Sequence, residues 1–331
     1  MNLLPWQQKD WTHLVAYSRQ DRVPQALLIH GNKGLGKLQL ASQFAFSLLC
    51  EKPGSDGLNC DQCDRCLLLK AETHPDFIQI KPEEPGKSIT IGQIRSLITR
   101  LTLKPQFDTY RVVTINPADL MNNAASNAFL KCLEEPTERT ILVLITDNIS
   151  RLPATIISRC QKLNVSIPNK ETVITWLKQK NPSLLASHLE TLFNLTQGSP
   201  LQALAYSDTK ILTLRNDCFN AWLDLAKHQQ HPVVIAENWH KLTDVPLLHW
   251  MATWTVDMMK CYYQQNPVRL YNPDLRDQLD LLSQQLELKT LYSFYDLILI
   301  SQQRYNTQIN KQSLFEEILI NWFEANRGKT S

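Results

Sequence analysis

Short apolar runs alternate with helix-length amphipathic segments through the first half of the chain, and the alternation stops at Pro168. QALLIHG (25–31) predicts a strand that runs into a glycine-rich turn. Leu40, Phe44 and Leu48 then recur at i, i+4 and i+8, one face of a helix. DFIQI (76–80), RVVTI (111–115), ILVLIT (141–146) and QKLNVSI (161–167) predict four further strands. Thr90 with Gln93 is a capping-box pattern, and it opens a helix with Ile91, Ile94, Ile98 and Leu101 on one face. A second helix, with Met121, Ala125, Ala128, Cys132 and Leu133 turned inward, is stopped by Pro136. The pattern is that of an α/β domain with a mainly parallel sheet. Beyond Pro168 the spacing is helical, with a break at Gly198-Ser199-Pro200. Leu247, Trp250, Met251, Trp254, Met258 and Cys261 form one apolar face, and Leu314, Phe315, Ile318, Leu319, Trp322 and Phe323 form another. Five of the eight Trp lie beyond residue 208, which predicts a tryptophan-rich helical core.

Composition narrows the class. With 331 residues, 43% hydrophobic and 20% charged, the chain has material for two or three folded domains. A net charge of +2 lacks the basic footprint of a strong nucleic-acid binder. Contact with DNA is therefore expected only through a local patch or a shared assembly. MNLLPWQQKDW has neither a basic n-region nor an apolar h-region. The longest apolar runs fall far short of the ~20 residues that span a bilayer. The expectation is a soluble, cytoplasmic chain.

HGNKGLGKLQLAS (30–42) nearly spells the phosphate-binding loop G-x-x-x-x-G-K-[ST]. Gly31, Gly36 and Lys37 fit, and Leu38 stands where a Mg²⁺-ligating hydroxyl belongs. The strand RVVTI leads into Asn116-Pro117, where an ATPase carries acidic residues to hold the metal and activate water. Asp119 follows too far past the strand and is expected to point elsewhere. Loop geometry is expected to be present, with two metal-handling positions lost.

Four of the eight Cys give the spacing C-x9-C-x2-C-x2-C at Cys50, Cys60, Cys63 and Cys66. Four thiolates close a tetrahedral Zn²⁺ shell with no open position, which makes a structural site. Buried core cysteines are the alternative, but those do not cluster in a polar loop. Ser158-Arg159-Cys160 precedes the last strand; from the residues alone Arg159 reads as a domain-edge ion-pair partner.

PWQQKDWTHL, VPQALLIHGNKGLGK, the four-cysteine insert, AASNAFLKCLEEPTERTILVLIT and SRLPATIISRCQ together resemble the delta-prime family of bacterial DNA polymerase III clamp-loader subunits, in the AAA+ superfamily. The resemblance is dense over about residues 1–165 and weaker through LTQGSPLQALAY (195–206). It implies an AAA+-like P-loop domain over 1–166 with a zinc insert at about 50–70, a helical lid over 167–207, and an all-α collar over 208–331. It also implies a non-hydrolysing stator in a ring with motor ATPase subunits and the delta subunit. That ring uses ATP bound by partner subunits to load a sliding clamp on primed DNA, at the nucleoid-associated replisome. By position, Arg159 is the arginine that this family projects in trans into a neighbour's ATP site. Thr146 stands in the place of the sensor residue, and Leu201 in that of a lid arginine carried by related motor subunits. Two rival readings are an active ATPase with unusual metal handling and an autonomous zinc-containing DNA-binding protein.

Overall fold

In the computed structural model, described over residues 3–84, 86–107, 109–242, 245–263, 270–305 and 309–327, the chain packs as two compact units, Met1–Thr172 and Val173–Ser331.

The first unit holds five parallel strands: β1 Ala26–His30, β2 Phe77–Ile80, β3 Arg111–Ile115, β4 Thr140–Thr146 and β5 Gln161–Asn164. They lie in the order β2-β3-β4-β1-β5. β1 therefore sits between β4 and β5, with Ile29 opposite both Ile145 and Leu163. Central strands covered on both faces read as near-continuous apolar runs, and β3 and β4 are buried at every position, Arg111, Thr114, Thr140 and Thr146 being their polar members. The strand expected over 161–167 is shorter as a ladder, although Val165 N still donates to His30 O at 2.8 Å.

Helices α1 Gln8–Arg19, α2 Lys37–Leu49, α3 Asp64–Lys70, α4 Ile91–Leu101, α5 Asn123–Glu134 and α6 Ala154–Ile157 cover the sheet. The capping box of α4 forms as its sequence predicts: Gln93 N donates to Thr90 Oγ1 and Thr90 N to Gln93 Oε1. α5 differs from expectation in detail. Met121 lies ahead of the helix and bridges Ile89, while Phe129, fully buried, carries the inward face with Ala125 and Cys132.

The second unit contains α7 Lys170–Lys180 for all but its first turn, then α8 Ala186–Leu195, α9 Pro200–Ala205, α10 Thr209–Ala226, α11 Pro232–Trp239, α12 Leu247–Tyr263, α13 Arg276–Gln285, α14 Leu288–Tyr305 and α15 Lys311–Ala325. The helical break falls at Gly198–Pro200 as expected. Trp222, Trp250, Trp254 and Trp322 are fully buried in one cluster. Trp222 and Trp322 stack with ring centroids 3.9 Å apart. No helix among the described residues is long and apolar enough to cross a membrane.

Candidate functional site

The glycine-rich turn joins β1 to α2. Gly31, at φ +148°, lies so close to β5 that a Cβ would stand 2.4 Å from Val165 O. Gly36 is the left-handed N-cap of α2, at φ 79°. Both glycines are thus demanded by backbone geometry, with or without a phosphate. Two side chains from the N-terminal segment brace the turn. Trp6 Nε1 donates to Leu35 O at 3.0 Å, and the fully buried Gln7 donates Nε2 to Gly36 O at 2.9 Å. Nothing in the loop motif announces this brace.

Lys37 begins α2 with its side chain only 3% exposed. Its ammonium donates to Gly31 O at 2.7 Å, Asn32 O at 2.6 Å and Asp147 Oδ1 at 2.6 Å. An ammonium has three donors, and these three acceptors match them. Leu38 is 44% exposed and offers no oxygen. β3 ends at Ile115 and is followed by Asn116 and Pro117.

Asp119 corrects an expectation. It does not point away, because the 3₁₀ turn Ala118–Leu120 curls back over the strand ends. Its Oδ1 accepts from Thr146 Oγ1 at 2.6 Å. The Thr146 hydroxyl has a single proton, so its donor is committed to Asp119; its oxygen also accepts from Asn148 N at 3.0 Å.

The four cysteines come together. Their sulfurs all lie within 4.8 Å of one another, and Cys60 Sγ is 3.9 Å from Cys66 Sγ. A tetrahedral site with Zn–S of about 2.3 Å needs sulfurs about 3.8 Å apart, so the donor set fits a divalent metal. Helix ends position it: Cys50 is the C-cap of α2, Cys63 the N-cap of α3, and Cys66 lies in the first turn of α3. Burial pushes the Cys66 thiol up to about 12 and raises that of Cys50. The backbone N–H groups of Gln62 and Cys63 hold Cys60 down at about 6. The insert is tied to α1 and α2. Trp11 Nε1 donates to Asp56 O at 3.0 Å, Arg19 Nη2 donates to Ser55 O, and Gln43 Nε2 donates to Asn59 Oδ1 at 2.6 Å. Gly57, at φ 80°, lets the loop touch α1, where a Cβ would fall 2.5 Å from Val15 Cγ2.

Arg159 follows α6 and belongs to neither cluster. Its Nη2 pairs with Glu134 Oε1 at 2.8 Å and its Nη1 donates to Thr155 O at 3.0 Å. The Arg159 side chain is 38% exposed and that of Glu134 50%. Leu201, in the first turn of α9, is half-buried.

Residues 6–169 match the family described as "DNA polymerase III, delta subunit", and residues 210–324 match "DNA polymerase III, delta subunit, C terminal". DNA polymerase III subunit delta' of Pseudomonas aeruginosa is 32% identical over 97% of both chains. The Escherichia coli protein of the same name is 29% identical, over 97% of this chain and 95% of its own. Among solved structures, a DNA polymerase III gamma subunit-related protein of Thermotoga maritima aligns with a TM-score of 0.48 at 18% identity, covering 95% of this chain and 99% of that one. With a five-stranded parallel sheet, a cysteine cluster suited to a metal and a 32% identical relative matched over 97% of both chains, the chain belongs to the DNA polymerase III delta' subunit family.

Proposed function

We propose that this chain is the non-hydrolysing stator of a replicative clamp loader. It supplies Arg159 in trans to the ATP site of a neighbouring motor subunit while the ring, with its delta subunit, places a sliding clamp on primed DNA. The observation that carries the reading is Leu38, which stands in the first turn of α2, 44% exposed and without an oxygen, where a working phosphate loop places its Mg²⁺-ligating hydroxyl. Leu38, Asn116 and Pro117 add no metal ligand and no base. In this reading Gly31, Gly36 and Lys37 shape a loop that binds nucleotide weakly or not at all.

The three-part division goes with this function: a nucleotide-type domain over 1–166, a lid over 167–207 built on α7–α9, and a collar over 208–331 built on α10–α15. Cys50, Cys60, Cys63 and Cys66 would hold one structural Zn²⁺, which fixes the insert and performs no chemistry.

For Arg159 the physical argument is charge. Phosphoryl transfer spreads negative charge over the γ-phosphate oxygens, and a planar guanidinium fork suits it better than an ammonium. Fingers supplied in trans to GTPases are worth about 10³–10⁵ in rate. As a surface ion pair alone, Arg159–Glu134 would contribute only about 0–1 kcal/mol. The test is a reconstituted loader carrying Arg159→Ala or Arg159→Lys. Both variants should assemble and both should slow DNA-stimulated hydrolysis and clamp loading, by the contribution of the one site that the arginine faces. Wild-type rates from a fully assembled Arg159→Ala complex would refute the role.

A further inference from the structure

Glu134 is the last residue of α5, and Glu135 follows it as the C-cap. The carbonyl end of a helix already concentrates negative charge, so a carboxylate there works against the helix. Cations are favoured at that position, which leaves Glu134 without a helix-stabilising reason to be acidic. Its carboxylate instead meets Arg159 Nη2 at 2.8 Å, while Arg159 Nη1 is held by Thr155 O of α6 at 3.0 Å. Two anchor points on a planar fork fix both its direction and its plane. A guanidinium has five N–H donors, so two anchors leave others to offer outward. Both side chains are more than a third exposed, so the pair adds little to stability.

We propose that Glu134 is a positioning residue: it holds the Arg159 guanidinium in the orientation that meets the phosphates of ATP bound by the adjacent subunit. This rests on the trans-acting role of Arg159. Glu134 touches no substrate and exchanges no proton. Without it the long arginine side chain samples many rotamers, and the time it spends aimed at the phosphate falls.

The experiment uses the fully assembled loader with Glu134→Ala, Glu134→Gln, Arg159→Ala and the Glu134→Ala/Arg159→Ala double variant, each checked for subunit stoichiometry. The readouts are kcat and KM for clamp- and DNA-stimulated ATP hydrolysis. Because a misplacement of ~1 Å can cost ~10²-fold, Glu134→Ala is expected to slow the adjacent site about tenfold in kcat, with KM for ATP unchanged. Glu134→Gln, which keeps an oxygen acceptor in place, should recover most of that loss. The double variant should match Arg159→Ala alone, since a positioner has nothing left to position. If Arg159→Ala is slow and Glu134→Ala runs at the wild-type rate, the positioning role is wrong and the finger stands. A faster Glu134→Ala complex, or losses that multiply in the double variant, would also overturn it. If Arg159→Ala itself is wild-type, the finger reading fails first.

Discussion

The ammonium of Lys37 has three hydrogens to give, and the two loop carbonyls and Asp147 receive them. A nucleotide would have to displace a 2.6 Å ion pair, and Leu38 offers no hydroxyl to its Mg²⁺. The purified chain is therefore expected to release no phosphate from ATP above background in a steady-state assay. Leu38→Ser alone should not rescue it, since Asn116 and Pro117 still provide no carboxylate. Turnover that disappears with Lys37→Ala would count against the stator. The missing hydroxyl and the missing acid are legible in the sequence, because each occupies a fixed offset from a motif. Asp147 is not legible. It stands 110 residues from Lys37 in the chain, and only the register of β1 on β4, His30 opposite Thr146, brings it alongside. Asp119 is misread for a related reason: a three-residue turn reverses its direction, and residue counting carries no information about that reversal.

At the scale of elements, the cysteine insert behaves as a clasp between α1, α2 and α3. One Zn²⁺ per chain is expected by elemental analysis of protein never exposed to immobilised-metal resin. A zinc content near zero with four freely titrating thiols would exclude the site. Cys66→Ser should raise hydrogen exchange across residues 51–63 and at α1, which Trp11, Val15 and Arg19 tie to the loop, while β3 and β4 stay protected. The cysteine cluster is evident from spacing, since Cys60, Cys63 and Cys66 lie within seven residues and need no long-range contact to meet, with Cys50 ten residues before them. The α1 partners are hidden, because Gly57 meets Val15 only after the loop has folded back. Strands are easy to read for the opposite reason. A strand buried on both faces is mostly apolar, and β3 and β4 are such strands, with Arg111, Thr114, Thr140 and Thr146 as their buried polar positions. β5 is edge-lying, largely exposed along its length, and its end is correspondingly blurred.

In the whole molecule each compact unit has core residues of its own. Trp322 stacks on Trp222 and its indole N–H donates to Trp222 O at 3.0 Å. Trp322→Ala should cost the helical unit about 3–5 kcal/mol, seen as a lower urea midpoint by tryptophan fluorescence, with hydrogen-exchange protection of β3 and β4 unchanged. A shift within experimental error would mean that this core is not packed as described. The tryptophan-rich helical core was foreseeable from helical spacing; the indole–carbonyl bond between α15 and α10 was not, because no local pattern encodes it. The strand order has a consequence for how the protein is made. β1 is the first strand to leave the ribosome, yet both of its partners, β4 and β5, are the last two. At ~5–20 residues per second, roughly 5–20 s pass between translation of β1 and completion of β4. Throughout that interval Ala26–Ile29 is an apolar segment with no strand to pair with. A polypeptide released before residue 140 would have neither β4 nor β5, and that segment would keep no strand to pair with.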